Sequence, residues 1–282
     1  MENRIYLKDE QLEKLFKNKI IQQDNFNSNS ELFKYSDTIF KIYNGNRKID
    51  LFNKSVINNI FNKYPYLNSI NELVLPQKLL IYNKHIVGFS MPYIEGISLE
   101  EMINKEKDYN MKSIFNNLLN IINKCKRLPF EFYIGDMHEK NIIIDNNNNI
   151  KIIDPDSFII DDNKLCIDGK YLIGKYANNY FDNSELKRIK NSSDYYSLLC
   201  IILNYSFKGI IEDIADPVTW LKEEPQFKEI RPILDRVDEN FVLKENDIDN
   251  IFEFKNRLNY KYIENKELAK EIQRFRKVLK KH

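Results

Sequence analysis

The stretch IIIDNNNNIKIID, from Ile142 to Asp154, places two isoleucine-rich runs on either side of four consecutive asparagines. Isoleucine favours extended backbone, and asparagine favours the reversal that joins two strands. The stretch therefore predicts a β-hairpin. Polar groups flank it at fixed places. Asp136 and Asn141 precede the first run, within GDMHEKN, while Asp154 and Asp156 follow the second, within IIDPDSF. An isolated carboxylate on a protein surface is ordinarily solvated. Carboxylates arranged around a hairpin are held at defined positions, which raises the question of what they hold.

The surrounding chain predicts two kinds of structure. SELFKYSDTIFKIYNG reads as a hairpin turning at Ser36-Asp37, with Lys41 inside its second strand. DLFNKSVINNIFNKY spaces Phe52, Val56 and Ile60 at helical intervals. LVLPQKLLIYNKHIVGFSMPYIEG supplies two more strands around Asn83-Lys84. From Ser98 the pattern becomes helical, beginning with a capping box from Ser98 to Glu101. MKSIFNNLLNIINKCKRL, with Ile114, Leu118, Ile122 and Cys125 on one face, is a long helix ending before Pro129. Residues 159–190 show no steady period and read as a long irregular segment. SSDYYSLLCIILNYSF is apolar nearly all round, the pattern of a helix buried inside a domain. The expected class is α+β. A β-rich part with one helix occupies residues 1–92, a mainly helical part residues 93–282, and the boundary falls at MPYIEG.

Composition narrows the classes of function. The 282 residues carry 43 Lys and Arg against 42 Asp and Glu, so nothing indicates a globally basic nucleic-acid binder. The basic C-terminal stretch KELAKEIQRFRKVLKK alternates with Glu and reads as a solvated helix face. No apolar run reaches the roughly eighteen residues that a spanning helix needs, so no membrane role is expected. The N-terminal MENRIYLKDEQLEKLF lacks the apolar centre of a secretory signal. Cys125, Cys166 and Cys200 have no metal-type spacing and read as buried thiols, which predicts a reducing, cytoplasmic setting.

The hairpin and its flanks resemble the catalytic and metal-binding loops of the protein-kinase-like superfamily. GDMHEKNIII followed by IKIIDPDSF has that superfamily's order of an Asp, a later Asn, a short hairpin and a second Asp. The resemblance covers roughly residues 30 to 210 and implies a bilobal fold that binds ATP and Mg²⁺. By it, Asp136 orients the acceptor hydroxyl and takes its proton, and Asn141 and Asp154 hold the metal. Lys41 falls where the phosphate-binding lysine lies. MPYIEG is similar to the hinge that receives adenine, with Met91, Pro92 and Ile94 as binding positions, Pro92 through its C=O and Ile94 through its N–H. His138 matches the GDxH form of small-molecule and atypical kinases and joins Asp136 as a catalytic candidate. Asp156 has two readings, a supporting partner of the site or a solvated carboxylate.

The resemblance implies an ATP-dependent phosphotransferase. The interval from Glu95 to Asp136 leaves room for two helices and no inserted subdomain. That favours a Ser/Thr protein kinase over an enzyme of the aminoglycoside- or choline-kinase kind. The interval from Asp154 to Asp194 has the room of an activation segment, with Glu185 near its end, and IDPDSF looks like an atypical bacterial group. The acceptor is thus a hydroxyl on a protein, with a small molecule as the alternative and a nucleotide-binding scaffold without catalysis as the third reading. Three departures stand out. DNFNSNSELF takes the place of a glycine-rich loop, and the helix after Lys41 carries no Glu. Asp50 and Glu72 are the acids that flank this helix. Ile134-Gly135 also replaces the His-Arg that precedes the catalytic Asp in most protein kinases.

Overall fold

The computed structural model describes residues 4–17, 30–43, 47–105, 110–161, 192–207, 217–237 and 240–258. Glu185, Cys166, the C-terminal basic stretch and most of the expected activation-like segment lie outside these residues. The side chain of Asp50 does too.

The first half is built on a five-stranded sheet. Its strands are β1 (Arg4–Tyr6), β2 (Ser30–Tyr35), β3 (Thr38–Tyr43), β4 (Lys78–Tyr82) and β5 (His85–Pro92), ordered β1-β4-β5-β3-β2. All neighbours pair antiparallel except β1, which lies parallel to β4. Both expected turns form, and Ser36, Asn83 and Lys84 each take positive φ to close them. In β3 the side chains alternate. Ile39, Lys41 and Tyr43 are buried, with Ile39 and Tyr43 in the main core. Phe40 and Ile42 pack on the opposite face, with Leu7, Phe33, Leu80 and Leu15 of helix α1 (Asp9–Lys17). Lys41 therefore shares a face with core residues instead of facing water.

Helix α2 (Arg47–Leu67) buries Val56, Ile57, Ile60 and Leu67. The short strand β6 (Gly96–Ser98) leads into α3 (Leu99–Asn104), where Ser98 Oγ accepts from Glu101 N at 3.1 Å. Asn110 caps α4 (Met111–Lys126), whose inner face is Met111, Phe115, Leu118, Leu119, Ile121, Ile122 and Cys125. Ile114, expected in the stripe, is only partly buried; the stripe turns toward Phe115 instead. Strand β7 (Phe132–Tyr133) precedes the expected hairpin of β8 (Ile142–Asp145) and β9 (Ile150–Ile152). Asp145 stabilises the asparagine turn by accepting from Asn147 N at 2.9 Å and Asn149 N at 2.8 Å.

Residues 159 and 160 depart from the irregular reading. They form β10 (Ile159–Ile160), which pairs antiparallel with β7. Two-residue strands carry too little periodicity to be read in advance, and this pairing is decided by contact with a distant segment. Helix α5 (Ser193–Ser206) is buried along almost its whole length, as its apolar pattern predicts. Helices α6 (Pro217–Glu223), α7 (Arg231–Leu234) and α8 (Glu245–Arg257) complete the described helical part.

One core cluster runs from Ile39 and Phe89 of the sheet through α2, the hairpin and α4 to Phe254 of α8. The segment after α2 joins its halves. Ile152 N donates to Glu72 O at 2.8 Å, and Val74 N donates to Ile152 O at 2.9 Å. These bonds fix β9, and hence Asp154, relative to the five-stranded sheet. Among the described residues, no helix is long and apolar enough to cross a membrane.

Candidate functional site

The end of β9 delivers a carboxylate to Lys41. Asp154 takes left-handed backbone angles, φ 70° and ψ 56°, a conformation that costs a non-glycine residue about 1–2 kcal/mol. Ser157 holds that turn: its N–H and its Oγ donate to Asp154 O at 3.1 and 2.7 Å. The chain then enters a 3-10 turn, Pro155–Ser157, packed against α2. Lys41 Nζ donates to Asp154 Oδ1 and, at 2.7 Å, to Asp156 Oδ1. The sequence interval between lysine and acids exceeds a hundred residues, yet all three charges meet.

Each charge alters the others. Burial works to lower the Lys41 pKa, but the two carboxylates outweigh it and raise the value above that of a free lysine. For Asp154, burial opposes ionisation, and the charge and hydrogen bond of Lys41 overcome it, leaving the pKa below its ordinary value. For Asp156, burial dominates; Lys41 offsets part of it, the Asp154 charge adds to it, and the pKa is pushed up to about 6.

The loop between β7 and β8 presents Asp136, His138 and Asn141. Asn141 Nδ2 donates to Asp136 O at 3.0 Å, which orients the amide and leaves Oδ1 as its acceptor end. His138 Nδ1 accepts from Lys140 N at 3.2 Å, so this nitrogen carries no proton and Nε2 bears the hydrogen. Nε2 lies 3.5 Å from Asp136 Oδ2. His138 thus caps the 3-10 turn Glu139–Asn141 with one nitrogen and faces the Asp136 carboxylate with the other.

Asp194, which in the sequence marks the end of the activation-like interval, anchors this loop from beneath. It is completely buried and accepts from Ile134 N at 3.1 Å and Gly135 N at 3.3 Å. Burial raises its pKa, while the Lys126 charge and these two bonds act in the opposite direction. Gly135 is required at its position. Its φ is +81°, and a Cβ there would lie 2.1 Å from Ser157 O. The loop bearing Asp136 and the turn bearing Asp154 therefore touch at Gly135. The signal for both residues was in the sequence: a carboxylate opening an apolar helix, and a glycine directly before a candidate catalytic acid.

The side chain of Asp50 lies outside the described residues, but those of Glu72 and Asp156 can be placed relative to Lys41. Glu72 is not its partner. Glu72 Oε1 accepts from Lys124 of α4 at 2.5 Å, because the backbone pairing with Ile152 carries residue 72 to the α4 side. Asp156 is not a solvated carboxylate; it is the second partner of Lys41.

At the end of β5, Met91 is buried and pairs with Ile39, while Pro92 lies opposite Thr38. Tyr93 N donates to Asp37 O at 2.8 Å, and Gln77 N donates to Ser90 O at 2.7 Å. Antiparallel alternation then turns the C=O of Pro92 away from β3, to the side that Ser90 O uses. β4 begins at Lys78, opposite Ser90, so its pairing stops before reaching Pro92. Ile94 follows beyond the strand, partly buried against the core.

The oxygen donors of Asn141 and Asp154 suit a hard cation such as Mg²⁺, and the Asp154 side chain keeps enough exposure, 29%, for an outside ligand to reach it. Lys41 adds a fixed positive charge beside them. No protein-family model matches the chain, and comparison with curated proteins found no match.

Proposed function

We propose that the chain is a bilobal, protein-kinase-like phosphotransferase. It would move the terminal phosphoryl group of ATP to a hydroxyl of a protein Ser or Thr. The observation that carries this reading is the meeting of Lys41 with Asp154, beside a loop in which Asn141 is bonded to the backbone of Asp136. Phosphoryl transfer needs positioned charge more than covalent chemistry, and this arrangement supplies it.

Asn141 Oδ1 and Asp154 would hold Mg²⁺, which when bound neutralises phosphate charge. Lys41 would hold the phosphates as a point charge. Asp136, oriented by His138 Nε2–H, would hold the acceptor hydroxyl and take its proton late in transfer. The outward C=O of Pro92 and the N–H of Ile94 would receive the adenine edge. His138 would then act on Asp136, whose Oδ2 lies 3.5 Å from its Nε2.

A protein acceptor is supported by what lies between β6 and Asp136. The described elements there are α3, α4 and β7, and the whole interval is about 40 residues long. This leaves little material for the inserted helices that enclose a small substrate.

Thermal melting with ATP, with and without Mg²⁺, tests the reading. ATP at about 100 times its dissociation constant stabilises the fold by roughly 2.7 kcal/mol. The expected shift requires Mg²⁺ and disappears in Asp154→Ala. Asp136→Ala keeps the shift and loses phosphoryl transfer to a mixture of protein acceptors. Equal transfer rates for wild type and Asp136→Ala would remove Asp136 from the mechanism. No shift at saturating Mg-ATP would remove the nucleotide site altogether.

A further inference from the structure

We propose that Asp156 is the standing carboxylate partner of Lys41, a positioning residue that keeps the ammonium aimed at the nucleotide phosphates when Asp154 turns to the cation. The inference rests on the nucleotide reading above and identifies how its lysine is held.

Both acids accept from Lys41 Nζ, but they are not equivalent. The side chain of Asp154 is 29% exposed and that of Asp156 is 5% exposed. A ligand from solution can reach the first and is shut out from the second. Asp154 also stands at the start of the turn, whereas Asp156 lies in its middle, between buried Pro155 and Ser157 and against α2. One acid faces the site's opening; the other faces inward.

Charge balance leads to the same division. The Lys41 side chain is only 10% exposed, and a buried ammonium without a carboxylate is strongly destabilising. If Asp154 were its sole partner, committing Asp154 to a divalent cation would leave Lys41 with no protein carboxylate to fix it, held by the phosphates alone beside a second positive charge. With Asp156 in place, each cation keeps a carboxylate. The sequence of α2 provides no Glu for this task, and Glu72 is taken by Lys124. The partner of Lys41 is carried instead on the same turn as the metal-binding Asp154.

A double-mutant cycle on the full chain tests this, with the Mg-ATP dissociation constant read by calorimetry. Lys41→Met and Asp156→Asn each weaken binding about tenfold, and the double variant binds no more weakly than either alone. A combined loss of about a hundredfold would mean that Asp156 acts independently of Lys41, and would overturn the proposal. Unchanged affinity in Asp156→Asn, with Lys41→Met weakened, would overturn it while leaving the nucleotide site intact. Unchanged affinity in Lys41→Met would overturn the nucleotide reading and this inference with it. A second variant covers the case in which Asp156→Asn fails to fold. In Asp154→Asn, Lys41 retains Asp156, so its modification by acetic anhydride stays as slow as in the wild type. Modification as fast as that of an exposed lysine would overturn the proposal.

Discussion

Asp194→Ala removes the support beneath the Asp136 loop, and the structure sets its size. The carboxylate satisfies two buried backbone donors, Ile134 N–H and Gly135 N–H. Orphaning a buried donor costs about 1–3 kcal/mol, so the two together cost about 2–6 kcal/mol. Some of that is recovered, because burial already opposes the Asp194 charge and raises its pKa. Lys126, whose ammonium lies 3.6 Å from the Tyr133 ring, loses an opposing charge at the same time. The net expectation is a loss of about 2–4 kcal/mol, or a Tm lower by roughly 5–15 °C. Guanidinium denaturation of wild type, Asp194→Ala and Asp194→Asn measures it. Asn keeps one acceptor oxygen, so its loss should fall between the other two. Under the proposed function, phosphoryl transfer should fall further in Asp194→Ala than Mg-ATP affinity does, since the loop carrying Asp136 loosens while Lys41 and Asp154 stay joined. An Ala variant within about 0.5 kcal/mol of wild type would refute the reasoning, because it would mean that the two donors find other partners.

Three further outcomes are expected. Gly88→Ala places a Cβ 1.9 Å from Lys41 O, a backbone atom that must move, so stability falls by about 1–3 kcal/mol; denaturant titration and Mg-ATP affinity should both register the shift in β3. Glu72→Gln changes stability by less than about 1 kcal/mol, because its bond to Lys124 is a partly exposed ion pair. Calorimetry should show its nucleotide affinity equal to that of the wild type, and a large loss would mean that Glu72 serves Lys41 after all. Asp145→Asn tests the hairpin turn by pH. Slight burial opposes ionisation of Asp145, but hydrogen bonds from Asn149 and Asn147 prevail and lower its pKa. A depressed carboxylate stabilises the fold above its unfolded pKa, and that contribution is lost as pH falls through the folded value. The stability gap between wild type and variant should therefore be present at neutral pH and narrow below the ordinary value of 3.8, as read by denaturation at a series of pH values.

Local pattern determined much of this protein. The alternation in TIFKIY, the asparagines between two isoleucine runs, the Ser98 cap and the apolar surface of α5 are interactions among near neighbours, and each element formed where its own residues call for it. The places of Asp136, Asn141 and Asp154 around the hairpin were legible for the same reason: a hairpin fixes the order of what flanks it. Tertiary structure alone decided which charges meet. Strand β3 and the turn after β9 are far apart in sequence, and only pairing of residues 72–74 with Ile152, together with packing of the Pro155–Ser157 turn on α2, brings Asp156 to Lys41 and carries Glu72 away to Lys124. Strands β7 and β10, too short to show a period, likewise exist through contact with each other. Spacing along the chain records which side chains share a face. It does not record which face a distant element covers, because that depends on how the whole core packs.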